Sequence, residues 1–330
     1  MDLSTSYLGL QLRTPLIVGA SPLADDTYTA RQLQDAGAGA IVMRSLFEEQ
    51  IYLDELAGSQ RGDPAAAGAG RNQAAFPTLA EYQISPDQYL RQITDLKGTL
   101  TMPVIASLNG CRPGGWIDFA RRFEAAGADA IELNLYHLST DPGTSALDVE
   151  SQLIETVRLV RSSVNIPVAV KLQPFFTALA HFVRELGLAG ADGVVVFSRL
   201  FQSDFAVDEQ EPVTQLRLSG QAELLLRLRW LALLSPGAEC SLAITGGVQN
   251  GEDAIKAVLA GADGVQLVSA LLRHGPRFLT TIIDGLQRWM SRHGYQKIAD
   301  FRGKMNLHGS LDAAAIERGD YQRILQSWRI

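Results

Sequence analysis

One phrase, written four times with small changes, constrains this chain more than any other feature. It reads DAGAGAIVM at 35–43, AAGADAIEL at 125–133, LAGADGVVV at 188–196 and LAGADGVQL at 259–267. The glycine of each phrase is placed to end a helix, where it adopts the left-handed cap conformation without steric cost. The apolar run that follows lacks polar alternation, which is the pattern of a strand covered on both faces.

Eight such runs recur in order: LIVGAS (16–21), AIVMRS (40–45), PVIASL (103–108), AIELNL (130–135), PVAVKL (167–172), GVVVFS (193–198), LAITGG (242–247) and GVQLVS (264–269). Segments with helical spacing lie between most of them, for example 116–126, 146–160 and 254–259. Strands alternating with helices make parallel βαβ units. Eight of them with a repeated joint point to an α/β fold of the closed (β/α)8 TIM-barrel type rather than to an open Rossmann or flavodoxin sheet. The reading is a single domain over 1–330 with two insertions, about 47–89 after the second strand and 199–223 after the sixth. Both leave from the end of the barrel that carries active sites. The first holds the Ala/Gly-rich stretch AGSQRGDPAAAGAGRNQAAFP and is expected to act as a mobile cover.

Composition narrows the function. With a formal net charge of −7 and acidic and basic residues interspersed, no basic face for nucleic acid is evident. No apolar run reaches the roughly 18 residues of a membrane span; the leucine-rich stretch at 224–234 is broken by Arg227 and Arg229. The start carries no basic-then-apolar leader pattern. The two cysteines, Cys111 and Cys240, are too few and too far apart for a disulfide framework, a paired-cysteine metal site or an iron–sulfur cluster. A cytoplasmic, reducing location is expected, with no metal and no membrane.

Candidate chemistry gathers at the ends of the runs. Gly246-Gly247 and Ser269-Ala270 end the seventh and eighth strands, where barrels commonly hold a phosphate against backbone N–H groups; a tight turn is the plain alternative for the glycines. Lys171 sits in an apolar run, where an ammonium needs an anion or must reach solvent. Asn134, inside AIELNL, needs partners for its amide. His137 has a side chain suited to proton transfer near neutral pH, or is an ordinary loop histidine. Arg44 is a cation of the upper barrel or a structural ion-pair partner.

Taken in order, these landmarks resemble the dihydroorotate dehydrogenase family, particularly its soluble class 1 members. The resemblance rests on YLGLQLRTPLIVGAS (7–21), ELN (132–134), VKLQP (170–174), LSG (218–220), TGG (245–247) and the tail GYQKIADFRGK (294–304). It implies FMN in the barrel mouth and oxidation of dihydroorotate to orotate by hydride transfer to flavin N5. It implies Ala20 and Ser21 along the flavin, with Asn134 and Lys171 at its ring or the substrate. Ser219-Gly220, Gly246-Gly247 and Ser269-Ala270 would hold the phosphate, and Asn72 would bind substrate. Arg44 stands where members carry a lysine, and Ser198, beside Arg199, where they carry an asparagine. After the fourth strand members read N-L-S-C-P-N, with cysteine as the base. This chain reads Asn134-Leu135-Tyr136-His137-Leu138-Ser139, which puts His137 at the base position and Ser139 at a substrate position. Cofactor positions are thus largely kept and substrate positions partly rewritten. That pattern also fits a paralogue acting on another small anion, with Arg44 and Arg199 as its partners. A flavoprotein exchanging electrons with a partner protein is a further reading. A homodimer is implied by the resemblance alone.

Overall fold

The computed structural model describes residues 1–52, 84–110, 116–199, 204–213, 217–307 and 313–327. Eight parallel strands close on themselves: Leu16–Val18, Ala40–Val42, Val104–Gly110, Ala130–Leu135, Val168–Leu172, Gly193–Val196, Ser241–Thr245 and Gly264–Leu267. The eighth pairs with the first (Gln266 with Ile17) and the second with the third (Ile41 with Val104), so the sheet has no open edge. Helices connect the strands, and the fold is the (β/α)8 barrel that the repeated phrase predicts. A short strand, Leu46–Phe47, continues beyond the second and pairs with the top of the third.

The repeated phrase has a shared structural cause. Gly37, Gly127, Gly190 and Gly261 all take positive φ, from 98° to 119°, at the joint between helix and strand. In three of the phrases the aspartate then reaches sideways to the preceding strand. Asp129 accepts from Val104 N at 2.7 Å, Asp192 from Val168 N at 2.8 Å and Asp263 from Leu242 N at 2.8 Å. Each carboxylate also pairs with a cation, Lys97 (2.7 Å), Arg161 (3.0 Å) and Arg302 (2.7 Å) respectively. The fourth phrase has Gly39 instead, because a Cβ there would lie 2.1 Å from Thr14 O. These contacts tie neighbouring strands at their N-terminal ends, the end that serves stability. Arg302 belongs to the tail motif, so its Asp263 pair and the fully buried Phe301 account structurally for IADFRGK.

A hairpin, Thr5–Tyr7 with Leu10–Leu12, closes the barrel floor. It was not read from the sequence, since its turn is Leu8-Gly9, with Leu8 itself at φ 55°, rather than one of the usual Asn-Gly pairs. Tyr7, Leu8 and Leu12 form one buried cluster with the inward residues Ile17, Ala40, Val42, Ile105, Ala130, Ala169, Val195 and Ala243. The small inward residues leave room for this plug. A Cβ on Gly193 would meet Leu8 Cδ2 at 2.4 Å. Gly193→Val is therefore expected to cost about 1–3 kcal/mol by overpacking, read as a lower urea midpoint. An unchanged midpoint would mean that the plug yields freely.

Candidate functional site

Above the apolar floor the barrel interior turns polar. Side chains two residues apart on a strand share a face, so Glu132 follows Ala130 inward and Lys171 follows Ala169. Lys171 Nζ lies 2.5 Å from Glu132 Oε1, and the carboxylate is 1% exposed. Gln266, on the eighth strand, donates its amide to the other oxygen of Glu132. Three strands thus meet in one buried network. The Tyr7 hydroxyl below it has no hydrogen-bond partner among the described residues. Burial, with the Glu132 charge as second cause, holds that phenol well above its ordinary pKa.

The next layer is the barrel mouth. Asn134, paired in register with Lys171, is buried and accepts a hydrogen bond from Ser198 Oγ. The fourth and sixth strands are therefore joined at the top through residues singled out in the sequence. Gln173, two positions beyond Lys171, is 7% exposed, and its buried Nε2 has no partner among the described residues. His137 is half-buried just past the fourth strand, and Ser139 is exposed. Ser21 is buried at the end of the first strand, its hydroxyl bonded to Gly19 O at 2.9 Å; Ala20 beside it is half-buried.

Two arginines are already engaged. Arg44 grips Asp25 in a two-pronged ion pair through Nε and Nη2, with both side chains about 30% exposed (32% and 29%). Of the two roles open to Arg44 in the sequence, the structure provides the ion pair. Arg199 lies 3.6 Å from Glu223, and its buried Nε has no partner among the described residues.

The ends of the seventh and eighth strands form a compact cluster with LSG. Ser219 Oγ is 2.8 Å from Ser269 Oγ and accepts from Gly247 N at 3.2 Å; Ser219 N donates to Ser269 Oγ at 2.9 Å. Gly246 and Gly247 both have positive φ, 90° and 87°. Arg273 locks the LSG backbone in place, donating to Ser219 O (3.0 Å) and Leu218 O (3.1 Å). Ser219, Gly220, Gly246, Gly247, Ser269 and Ala270, scattered over 52 positions, are thus brought to one place.

Several participants were missed in the sequence. Glu132 and Gln266 interrupt apolar runs, and a charge inside a buried strand needs a partner, which a lysine on the neighbouring strand supplies. Arg227 was noted only as an interruption of leucines. Buried, it donates to Thr245 O, Glu223 O and Phe197 O, clasping the tops of the sixth and seventh strands. Asn72 and Cys111 lie outside the described residues, as does most of the insertion after the second strand. Cys240 is half-buried at the floor end, its thiol pushed up to about 11 by burial, and so holds little thiolate for chemistry. Among the described residues, no helix is long and apolar enough to cross a membrane.

Fold and site together define a parallel barrel with a polar mouth and a Gly/Ser cluster at the ends of its seventh and eighth strands. The model of the dihydroorotate dehydrogenase family matches residues 70–290, and the chain belongs to that family. It is 27% identical over 320 residues to a putative dihydroorotate dehydrogenase A (fumarate) of Aeropyrum pernix, covering 92% of this chain and 97% of the relative. It is 25% identical over 307 residues to the catalytic subunit of dihydroorotate dehydrogenase B (NAD(+)) of Thermoplasma acidophilum, covering 92% and 98%. The corresponding subunit of Methanosarcina mazei is 27% identical over 300 residues, covering 89% and 92%.

Proposed function

We propose that the chain is an FMN-dependent oxidoreductase that oxidises dihydroorotate to orotate, with His137 as the base and flavin N5 as the hydride acceptor. The observation that carries the reading is the joint placement of an anion cradle and a buried lysine around one barrel mouth. The residues fit a flavin mononucleotide. Gly247 N and the Ser219 and Ser269 hydroxyls gather where its phosphate would sit. Lys171 offers a cation for its ring, and the unpartnered Gln173 amide asks for a bound acceptor. Ala20 and Ser21 would line the ring edge.

When bound, FMN accepts the hydride. The remaining work falls to this chain's side chains. Lys171 supplies positive charge, and Asn134 and Ser198 orient polar groups of ring or substrate. His137 takes a proton from the substrate carbon beside the one that loses hydride. Asn72 and Ser139 are proposed substrate contacts. A homodimer, and a redox partner protein for the electrons, complete the proposal, as does the single-domain organisation.

A second reading, a paralogue for another small anion, is favoured by the mouth itself. Arg44 is committed to Asp25, Ser198 already donates to Asn134 Oδ1, and Gln173 brings a donor of its own. A site built on hydrogen bonds discriminates strongly between ligands. Anaerobic titration of the FMN-loaded protein with dihydroorotate separates the two. Stoichiometric bleaching near the visible flavin maximum is the expected result; a flavin that stays oxidised rejects dihydroorotate and favours the second reading. His137→Ala is then expected to lower the bleaching rate by about 10²–10⁴-fold with FMN still bound. A rate within threefold of the parent would remove His137 from the chemistry.

A further inference from the structure

The proposed chemistry uses Lys171 and leaves Glu132 without a role, yet Glu132 is a buried charge of the barrel interior with Lys171 as its direct partner. It pairs in register with Ala169, one layer nearer the floor than Asn134 and Lys171, and meets the Lys171 ammonium from below at 2.5 Å. With 1% exposure it is screened by almost no water, so its field acts at short range in a medium of low polarisability. Gln266 fixes its second oxygen from across the barrel. The carboxylate can neither rotate away from Lys171 nor be replaced by solvent.

We propose that Glu132 is a positioning residue that sets how much positive charge Lys171 presents to the cofactor, and so lowers the reduction potential of bound FMN. The inference rests on the flavin reading above. Two-electron reduction with uptake of one proton at N5 leaves the flavin ring with one more negative charge. A lysine cation favours that product, and a carboxylate locked onto the lysine offsets part of the preference. Gln266 acts in the opposite sense, because its donated hydrogen bond withdraws negative charge from Glu132.

The test is the midpoint potential of FMN in the purified holoprotein at neutral pH, measured by dithionite reduction against a reference dye. Glu132→Gln keeps the shape and removes the charge; its amide oxygen still accepts from Lys171, and Gln266, its amide turned over, accepts from the new NH2 through Oε1. It is expected to favour reduced over oxidised FMN about tenfold, an upward shift of about 30 mV for a two-electron couple. Gln266→Met, which leaves the carboxylate in place and removes its second partner, is expected to move the potential downward. Opposed shifts are the signature, since loosened packing alone would not separate the two variants by sign. A potential in Glu132→Gln that is unchanged or lower, or shifts of the same sign in both variants, overturns the proposal. If Glu132→Gln does not fold, the direction found for Gln266→Met decides alone. A parent chain that takes up no FMN defeats the flavin reading and this inference together; a parent that binds FMN while Glu132→Gln leaves its potential unmoved defeats this inference alone.

Discussion

Lys171→Met is expected to destabilise the protein by about 3–5 kcal/mol, because it leaves the Glu132 carboxylate buried at 1% exposure with only an amide for company. That is a large part of the about 5–15 kcal/mol that holds a typical native domain together. The loss comes from the abandoned partner rather than from the lysine. Removing both charges is therefore expected to recover most of it: replacing a buried ion pair by apolar side chains of similar volume is often neutral or better. Lys171→Met/Glu132→Leu should unfold in urea close to the parent midpoint, while the single variant unfolds far below it. If the double variant were as unstable as Lys171→Met, the pair would be contributing packing rather than mutual charge compensation. The double variant is also expected to bind FMN with a shifted spectrum, since the mouth loses its buried cation.

The contrast between what the sequence disclosed and what it hid follows from how far each determinant reaches. The barrel was legible because its joints repeat: Gly127, Gly190 and Gly261 perform the same backbone task beside Asp129, Asp192 and Asp263, so local chemistry recurs wherever the topology does. The Gly/Ser cluster was legible too, since Gly246-Gly247 and Ser269-Ala270 end the last two apolar runs. The mouth was harder. Arg44 looked equally like a ligand contact and a structural cation, and only the loop after the first strand, which carries Asp25 to it, provides the partner. The link between Glu132 and Gln266 spans 134 positions and exists only once the barrel closes. Ser198 reaching Asn134 depends likewise on the order of strands, not on spacing along the chain. Hence the Gly/Ser cluster was easier to read than the mouth, which is built from single side chains converging from different strands.

The Gly/Ser cluster also supplies a severe test. Gly247→Ala is expected to cripple both stability and FMN binding, for two independent reasons. At φ 87° an alanine carries strain of about 1–3 kcal/mol. Its Cβ would also lie 2.5 Å from Leu224 N and 2.8 Å from Leu224 Cα, a backbone that cannot swing aside as a side-chain tip can. Relief requires moving the first turn of the helix Ala222–Leu234 or the strand end itself. Ser219, three residues before that helix, bonds directly to Gly247 N and to Ser269, so either movement opens the cluster. If the cluster holds the FMN phosphate as proposed, opening it loses two hydrogen bonds to that charged group, each about 1.5–3 kcal/mol, which predicts an FMN affinity at least a hundredfold weaker, measured by fluorescence quenching on titration with FMN. Gly187→Ala serves as the control: it lies in the helix Leu179–Leu188, outside the cluster, and a Cβ there meets nothing within 4 Å, so that variant should fold and bind as the parent does. Equal affinities for Gly247→Ala and the parent would place the phosphate elsewhere and leave the cluster as a purely structural clasp.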